Sequence, residues 1–242
     1  MEKSVHKVSI QDYFDPNLRK IIKTKKQSAL IPVGSIEQHG PHLPVSTDSD
    51  IVTEVAKKVA KKCNLLLLPT ITYGVSFEHS PFFNLSITQT TLQKQLIDIC
   101  VSLGENEIRK IIILNGHHGN QKALSKVSDT VSKIAKNQIK IIMISYWHYM
   151  KREFDHAGFV ETALMLAISN KVKMNLAKRG LVTDRMTSSQ RAKVSKLAST
   201  HFIKATKNGV WGDPTHATKQ DGKLILSEIV QNIVNKVSKL PY

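Results

Sequence analysis

The sequence predicts an α/β protein: a layered α/β/α domain around a mainly parallel sheet. Three observations predict it. Strand-length apolar runs alternate along the chain with stretches of helical periodicity. "KIIILNG" is an unbroken apolar run, the pattern of a strand buried on both faces, as parallel sheets require. No repeat or low-complexity linker interrupts the alternation, so residues 1–242 read as one domain.

The elements follow in order. "QSALIPVGSI" is the first strand. "SDIVTEVAKKVAKKCN" spaces Ile51, Val52, Val55, Val59 and Ala60 as one helix face, with lysines opposite. "NLLLLPTITYG" is the second strand, closed by Pro and Gly. "TQTTLQKQLIDICVSLGENE" is a helix with Thr88 or Thr90 as N-cap and Gly104 near its end. "IRKIIILNG" is the third strand. "NQKALSKVSDTVSKIAK" is a helix, and "QIKIIMISYW" the fourth strand. "GFVETALMLAISNK" and "KLILSEIVQNIVNKVSKL" are further helices. Between them, Lys171 to Thr206 is basic and Ser-rich, a stretch able to supply a lid.

Composition excludes several classes. At 41% hydrophobic and 22% charged the chain has enough apolar residues for a core. Its apolar runs fall far short of the ~20 residues that span a bilayer, so no membrane partner is expected. "MEKSVHKVSI" lacks the apolar centre of a signal peptide. Cys63 and Cys100 sit in apolar segments and read as thiols, which fits a cytoplasmic address. The net charge is +16, but 29 of the 35 basic residues are lysines spread over solvent-facing helix positions. Nucleic-acid readers concentrate arginine and stacking aromatics, and aromatics are 6% here, so no nucleic-acid partner is expected. A non-enzymatic polyanion-binding protein is the rival reading of that charge.

In parallel sheets, ligands sit beyond the carboxyl ends of the strands. The first strand runs into Glu37-Gln38-His39, where residues at i and i+2 of an extended segment face one side. Asp48 returns a carboxylate after a short loop. The third strand ends in "NGHHGN", a His117–His118 pair between glycines. After the fourth come His156 and Glu161. Mixed carboxylates and imidazoles suit Zn, Mn or Fe(II) better than Ca or Mg. Five such ligands with one bridging carboxylate would hold two ions, and a sixth group would shuttle a proton. Any one of these residues alone reads as an ordinary structural side chain; their convergence carries the signal. His6, His79, His148, His201 and His216 read as ordinary, although His79 and His216 stand in Gly/Pro-shaped loops. His42 and Asp50 read as groups that orient ligands.

Taken in order, "VGSIEQHGPHLPVSTD", "YGVSFEHSPF", "NGHHGN", "HAGFVETALML" and "GVWGDPT" resemble the creatininase (creatinine amidohydrolase) family, over nearly the whole chain. The resemblance implies two divalent metal ions per subunit and hydrolysis of a non-peptide C–N bond through a metal-bridging hydroxide. It also implies a homo-oligomer, often a hexamer. It makes Glu37, His39, Asp48 and His117 metal ligands, with Asp48 the bridge, and His156 the catalytic histidine. Creatininases proper carry a metal-binding Glu at the position of Gly119, so Glu161 is expected to complete the second site.

The resemblance leaves the substrate open between a cyclic amide such as creatinine and a formylamino-pyrimidine ribotide. The family's peptide-clipping branch is a third possibility. Lys151 and Arg152 precede His156 where creatininases proper place an aromatic; this suggests a phosphorylated substrate, with His118, Arg152 and Trp147 as candidate contacts.

Overall fold

The computed structural model describes residues 8–25, 27–136 and 138–239. The leaderless reading of the first residues and the ordinary reading of His6 fall outside them.

Four strands form one all-parallel sheet in the order β2-β1-β3-β4: β1 Ala29–Val33, β2 Leu66–Leu67, β3 Lys110–Asn115 and β4 Lys140–Ser145. Alternate residues of β1 and β3 point to opposite faces, and each face has its own core. Leu30, Ile112 and Leu114 pack with α2 (Thr47–Cys63), α6 (Phe159–Ile168) and α9 (Lys219–Ser238). Ala29, Ile31, Ile111 and Ile113 pack with α1 (Asp15–Lys25), α3 (Gln89–Glu105), α4 (Gln121–Leu124) and α5 (Val127–Ile134). Covering both faces is what the unbroken apolar run of β3 demands. Burying each isoleucine contributes roughly 1.5–3 kcal/mol. The expected α/β/α layering is therefore the observed one.

Three elements differ from expectation. The second strand is shorter, because Leu68 N–H bonds Leu30 O and Ile71 N–H bonds Pro32 O. That leaves one extra residue on the β2 side, at the proline that lacks a donor. The helix expected over 120–136 breaks into α4 and α5, where the Ser125 hydroxyl donates to Lys122 O at 2.9 Å. Asp15–Lys25 was not anticipated as a helix; Pro16 lies in its first turn, where a missing N–H costs nothing. Thr88 caps α3 as expected, accepting from Thr91 N–H at 3.1 Å.

Both cysteines are unpaired. No described helix is long and apolar enough to cross a membrane. The 171–206 stretch carries α7 (Ser188–Ala198) and α8 (Phe202–Thr206), and α7 opens with a capping box between Thr187 and Gln190.

Candidate metal centre

The chemistry gathers beyond the carboxyl ends of β1 and β3. Glu37 and His39 follow β1. Asp48 lies in the first turn of α2, a position that favours an anion. His117 follows β3. The approach of α2 to that strand end is close: a Cβ at Gly116 would meet Val52 and the Asp48 carbonyl, so only glycine lets Asp48 reach this point. Glu161 comes from the first turn of α6.

Asp48 stands at the centre. Its Oδ1 is 3.2 Å from His39 Nε2 and its Oδ2 is 3.0 Å from His117 Nδ1. Glu161 Oε2 lies 3.5 Å from His39 Nε2, and Glu37 Oε2 lies 3.2 Å from His117 Nε2. Two triads result, Glu37–Asp48–His117 and His39–Asp48–Glu161, each with ligand atoms within 4.8 Å of one another. Asp48 belongs to both, one oxygen facing each imidazole. A third such group, Glu37–His39–His156, joins His156 to the cluster.

Backbone carbonyls define which nitrogen each imidazole presents, because a carbonyl oxygen only accepts. His39 donates from Nδ1 to Glu37 O at 3.1 Å, so Nε2 is the nitrogen turned to Asp48 and Glu161, and it becomes a bare ligand when the ring gives up its second proton. His117 donates from Nε2 to Val75 O at 2.8 Å, so Nδ1 is the nitrogen turned to Asp48 and becomes a bare ligand on loss of its proton. Glu161 is held by the Ala157 N–H, which donates to its Oε2 at 2.7 Å. Asp155 caps the start of α6 by accepting from Val160 N–H at 2.9 Å. His42 Nε2 meets Thr162 Oγ1 at 2.8 Å, tying the first loop to α6.

The donor set fits divalent cations. Glu37, His39 and Glu161 are 0% exposed and Asp48 is 2% exposed. Among the described residues, every ion-pair partner of Glu37, Asp48 and Glu161 is a histidine. Glu37 Oε1, Asp48 Oδ2, Glu161 Oε1 and the Tyr146 hydroxyl are buried without a hydrogen-bond partner among the described residues. Imidazole nitrogens lie 3.1 Å from Glu37 Oε1 and 3.0 Å from Asp48 Oδ2, but off the hydrogen-bonding axis. Lone pairs that converge on a shared point rather than on each other are what a metal needs.

The electrostatics agree. Burial opposes charge on His39, yet Asp48, Glu161 and Glu37 outweigh it and hold its pKa up to about 10. His117 is likewise held up to about 10 against burial, by Glu37 and Asp48. Burial pushes Glu161 up, and His39 and His117 hold Asp48 well below the usual carboxylate range despite its burial. His156 is pushed well below its ordinary value by burial and then by His39, so its ring is neutral.

The cluster floors a cavity of about 270 Å³. Ser195, Ala198 and Ser199 from the α7 segment line it, and the Phe202 ring closes on His79 (4.5 Å) and His156 (4.6 Å). The 171–206 stretch thus lies over the site. Trp211 lines the wall and pairs its backbone with that of His156. His118 also lines the cavity. Trp147 does not; it stacks on Phe154 at 4.9 Å with 6.0 Å to His118. Arg152 lies over the Phe159 ring at 4.5 Å and lines an adjoining groove of about 460 Å³ with Arg179.

Three residues at the site were missed in the sequence. His79 is buried with Nε2 3.1 Å from Glu37 Oε1, and its Gly/Pro-shaped loop was the available signal. Glu78 lies 3.9 Å from His117 Nε2, and a Cβ at Gly119 would fall 2.8 Å from its carboxylate. Glu78 therefore fills the space a side chain at 119 would take. Trp211 supplies the aromatic wall expected of Trp147. His216 is exposed, as an ordinary histidine would be.

Residues 12–237 match the Creatininase family, described as creatinine amidohydrolase. A mycofactocin precursor peptide peptidase of Mycobacterium ulcerans is 32% identical over 228 residues, covering 88% of this chain and 85% of the relative. The creatinine amidohydrolase of Pseudomonas putida is 27% identical over 165 residues, covering 57% and 63%. A mutant creatininase of the Zn-Zn type superposes with a TM-score of 0.82 at 22% identity, covering 96% of this chain and 97% of that one.

Proposed function

The chain belongs to the creatininase family of amidohydrolases, and from that premise we propose that it hydrolyses an amide C–N bond with two divalent cations held by the Asp48-centred cluster. The observation that carries the reading is the pair of triads sharing Asp48. Glu37, Asp48 and His117 would hold one ion, and His39, Asp48 and Glu161 the other. Bound there, two such ions would lower the pKa of a water and polarise the substrate carbonyl. Zn, Mn and Fe(II) all suit these ligands.

The chain's own residues do the rest. His156 is neutral, and its Nδ1 lies 3.8 Å from Glu37 Oε1, at the edge of the cluster. It accepts a proton there and returns it to the departing nitrogen. Phe202 and Trp211 wall the site and thin out water, which strengthens every charge interaction inside it. His118, pushed down by burial, presents a neutral ring to the substrate.

This chemistry is common to peptide amides, cyclic amides and formamides. We infer a short peptide as substrate. The mycofactocin peptidase relative supports this, as do the aromatic walls of Phe154, Phe202 and Trp211. A second reading, a phosphorylated formylamino compound, is supported by Arg152 and Arg179 in the adjoining groove. We further infer that the 242 residues act as one domain, in the cytoplasm, within a homo-oligomer.

The test loads chelator-stripped protein with zinc or manganese and offers short synthetic peptides, creatinine and a formylamino ribotide, with products read by mass spectrometry. The proposal expects metal-dependent peptide cleavage that Asp48→Ala abolishes. Turnover surviving chelation and Asp48→Ala would refute the metal reading. Deformylation with peptides left intact would replace the substrate. Salt-sensitive polyanion binding that survives chelation, with every amide inert, would favour the non-enzymatic rival.

A further inference from the structure

Gln38 lies between two candidate ligands, Glu37 and His39, and is itself buried. In an extended segment its side chain leaves on the face opposite theirs. It reaches His79 and His156 instead.

Two backbone groups fix the orientation of its amide. Gly40 N–H, which can only donate, points at Oε1 at 2.9 Å. Gly209 O, which can only accept, lies 3.2 Å from Nε2. The amide nitrogen therefore faces His79 Nδ1 at 2.9 Å and His156 Nε2 at 3.1 Å. A Cβ at Gly209 would fall on Gln38 Oε1, so the fit excludes any side chain there.

Gln38 Nε2 has two hydrogens and three neighbours able to accept. His156 Nε2 also lies 3.0 Å from Gln38 O, which accepts only. If His156 carries its proton on Nε2, it donates to Gln38 O, and the two amide hydrogens go to His79 Nδ1 and Gly209 O. Every group is then satisfied. The opposite assignment leaves Gln38 O without a donor and strands either His79 or Gly209.

We propose that Gln38 is a positioning residue that gives two neighbouring imidazoles opposite roles. His79 presents an N–H beside Glu37, and His156 presents a bare Nδ1 to the cluster. The rings are 4.9 Å apart and both touch Phe202, so packing alone does not tell them apart. The amide does. With the amide N–H on its Nδ1, His79 keeps its proton on Nε2 and cannot ligate through that atom, which lies 3.1 Å from Glu37 Oε1. A neutral His156 with Nδ1 bare is ready to take a proton. This deepens the proposed reaction and rests on it only for the use made of His156.

Long-range nitrogen–proton correlation spectra of the zinc-saturated full chain test it, with His79→Gln and His156→Gln used for assignment. Wild type should show the Nε2–H pattern for both rings. Gln38→Met, which keeps the length and loses the donor, should lose the single pattern of His79. Gln38→Glu, whose carboxylate only accepts, should move the His79 proton to Nδ1. A wild-type His79 protonated on Nδ1, or wild-type patterns in both variants, would overturn the assignment. If neither variant folds by circular dichroism, the wild-type spectrum alone decides. No substrate is involved, so failure of the turnover assay and failure of the tautomers are separate results.

Discussion

Loading the cluster with zinc should release protons, and the structure sets how many. In the metal-free chain, neighbouring carboxylates hold His39 and His117 up to about 10 against the cost of burial. At roughly pH 7 both rings are then almost fully protonated, while a metal ligand must be neutral. Binding should expel about two protons, and Glu161, pushed up by burial, adds part of a third. Apparent affinity for the full complement should rise about a hundredfold per pH unit for the two imidazole protons, levelling off near their raised pKa. The linkage to stability has the opposite sign. Folded-state pKa values raised above the ordinary 6.5 stabilise the metal-free chain fully below that pH. That contribution fades as pH climbs through about 10. Calorimetric zinc titration of stripped protein, repeated in buffers of different ionisation enthalpy, counts the protons. Release of fewer than about one near neutral pH would mean that the imidazoles are already neutral, and would refute the charge-paired cluster.

Three further outcomes are expected. Glu161→Gln should weaken the ion shared by His39 and Asp48, lowering tightly bound metal from two per chain toward one by elemental analysis; an unchanged content would remove Glu161 from the ligand set. Ile113→Ala, at a fully buried β3 position, should cost about 2–5 kcal/mol in denaturant unfolding, and a cost near zero would contradict the packing. Burial pushes Asp155 up to about 7 although it caps α6, so ionising it costs stability as pH rises from about 4 to that value. Asp155→Asn keeps an acceptor for Val160 and should make the metal-free chain more stable by roughly 2–4 kcal/mol above pH 7; parallel stability–pH curves would sink that account.

The layering was legible because it is written in periodicity. β3 could not be exposed on either face, and its neighbours supply helices with one apolar side each. What periodicity could not show were local interruptions: the extra residue beside Pro69, and Ser125 turning its hydroxyl onto the backbone between α4 and α5. The short α1 helix escaped notice because few of its residues are buried, Ile22 among them.

At the site, spacing named residues but could not assign roles. Glu37, His39, Asp48, His117 and Glu161 converge because each follows a strand end or opens a helix at one edge of the sheet, which the alternation of elements implies. Arg152 and Trp147 stand close to His156 in sequence, yet sequence proximity after β4 does not carry their side chains into the cavity. Trp211 enters it from more than fifty residues away, through backbone pairing with His156. The roles of the imidazoles are more distant still from sequence. His39 turns Nε2 and His117 turns Nδ1 to Asp48 because the carbonyls of Glu37 and Val75 take the N–H of the other nitrogen. His79 and His156 differ because one amide, pinned by Gly40 and Gly209, reaches both. A list of histidines is therefore compatible with several mechanisms, and the carbonyls and amide around each ring select among them. Those partners lie up to 118 residues away along the chain, so only the fold brings the selection into being.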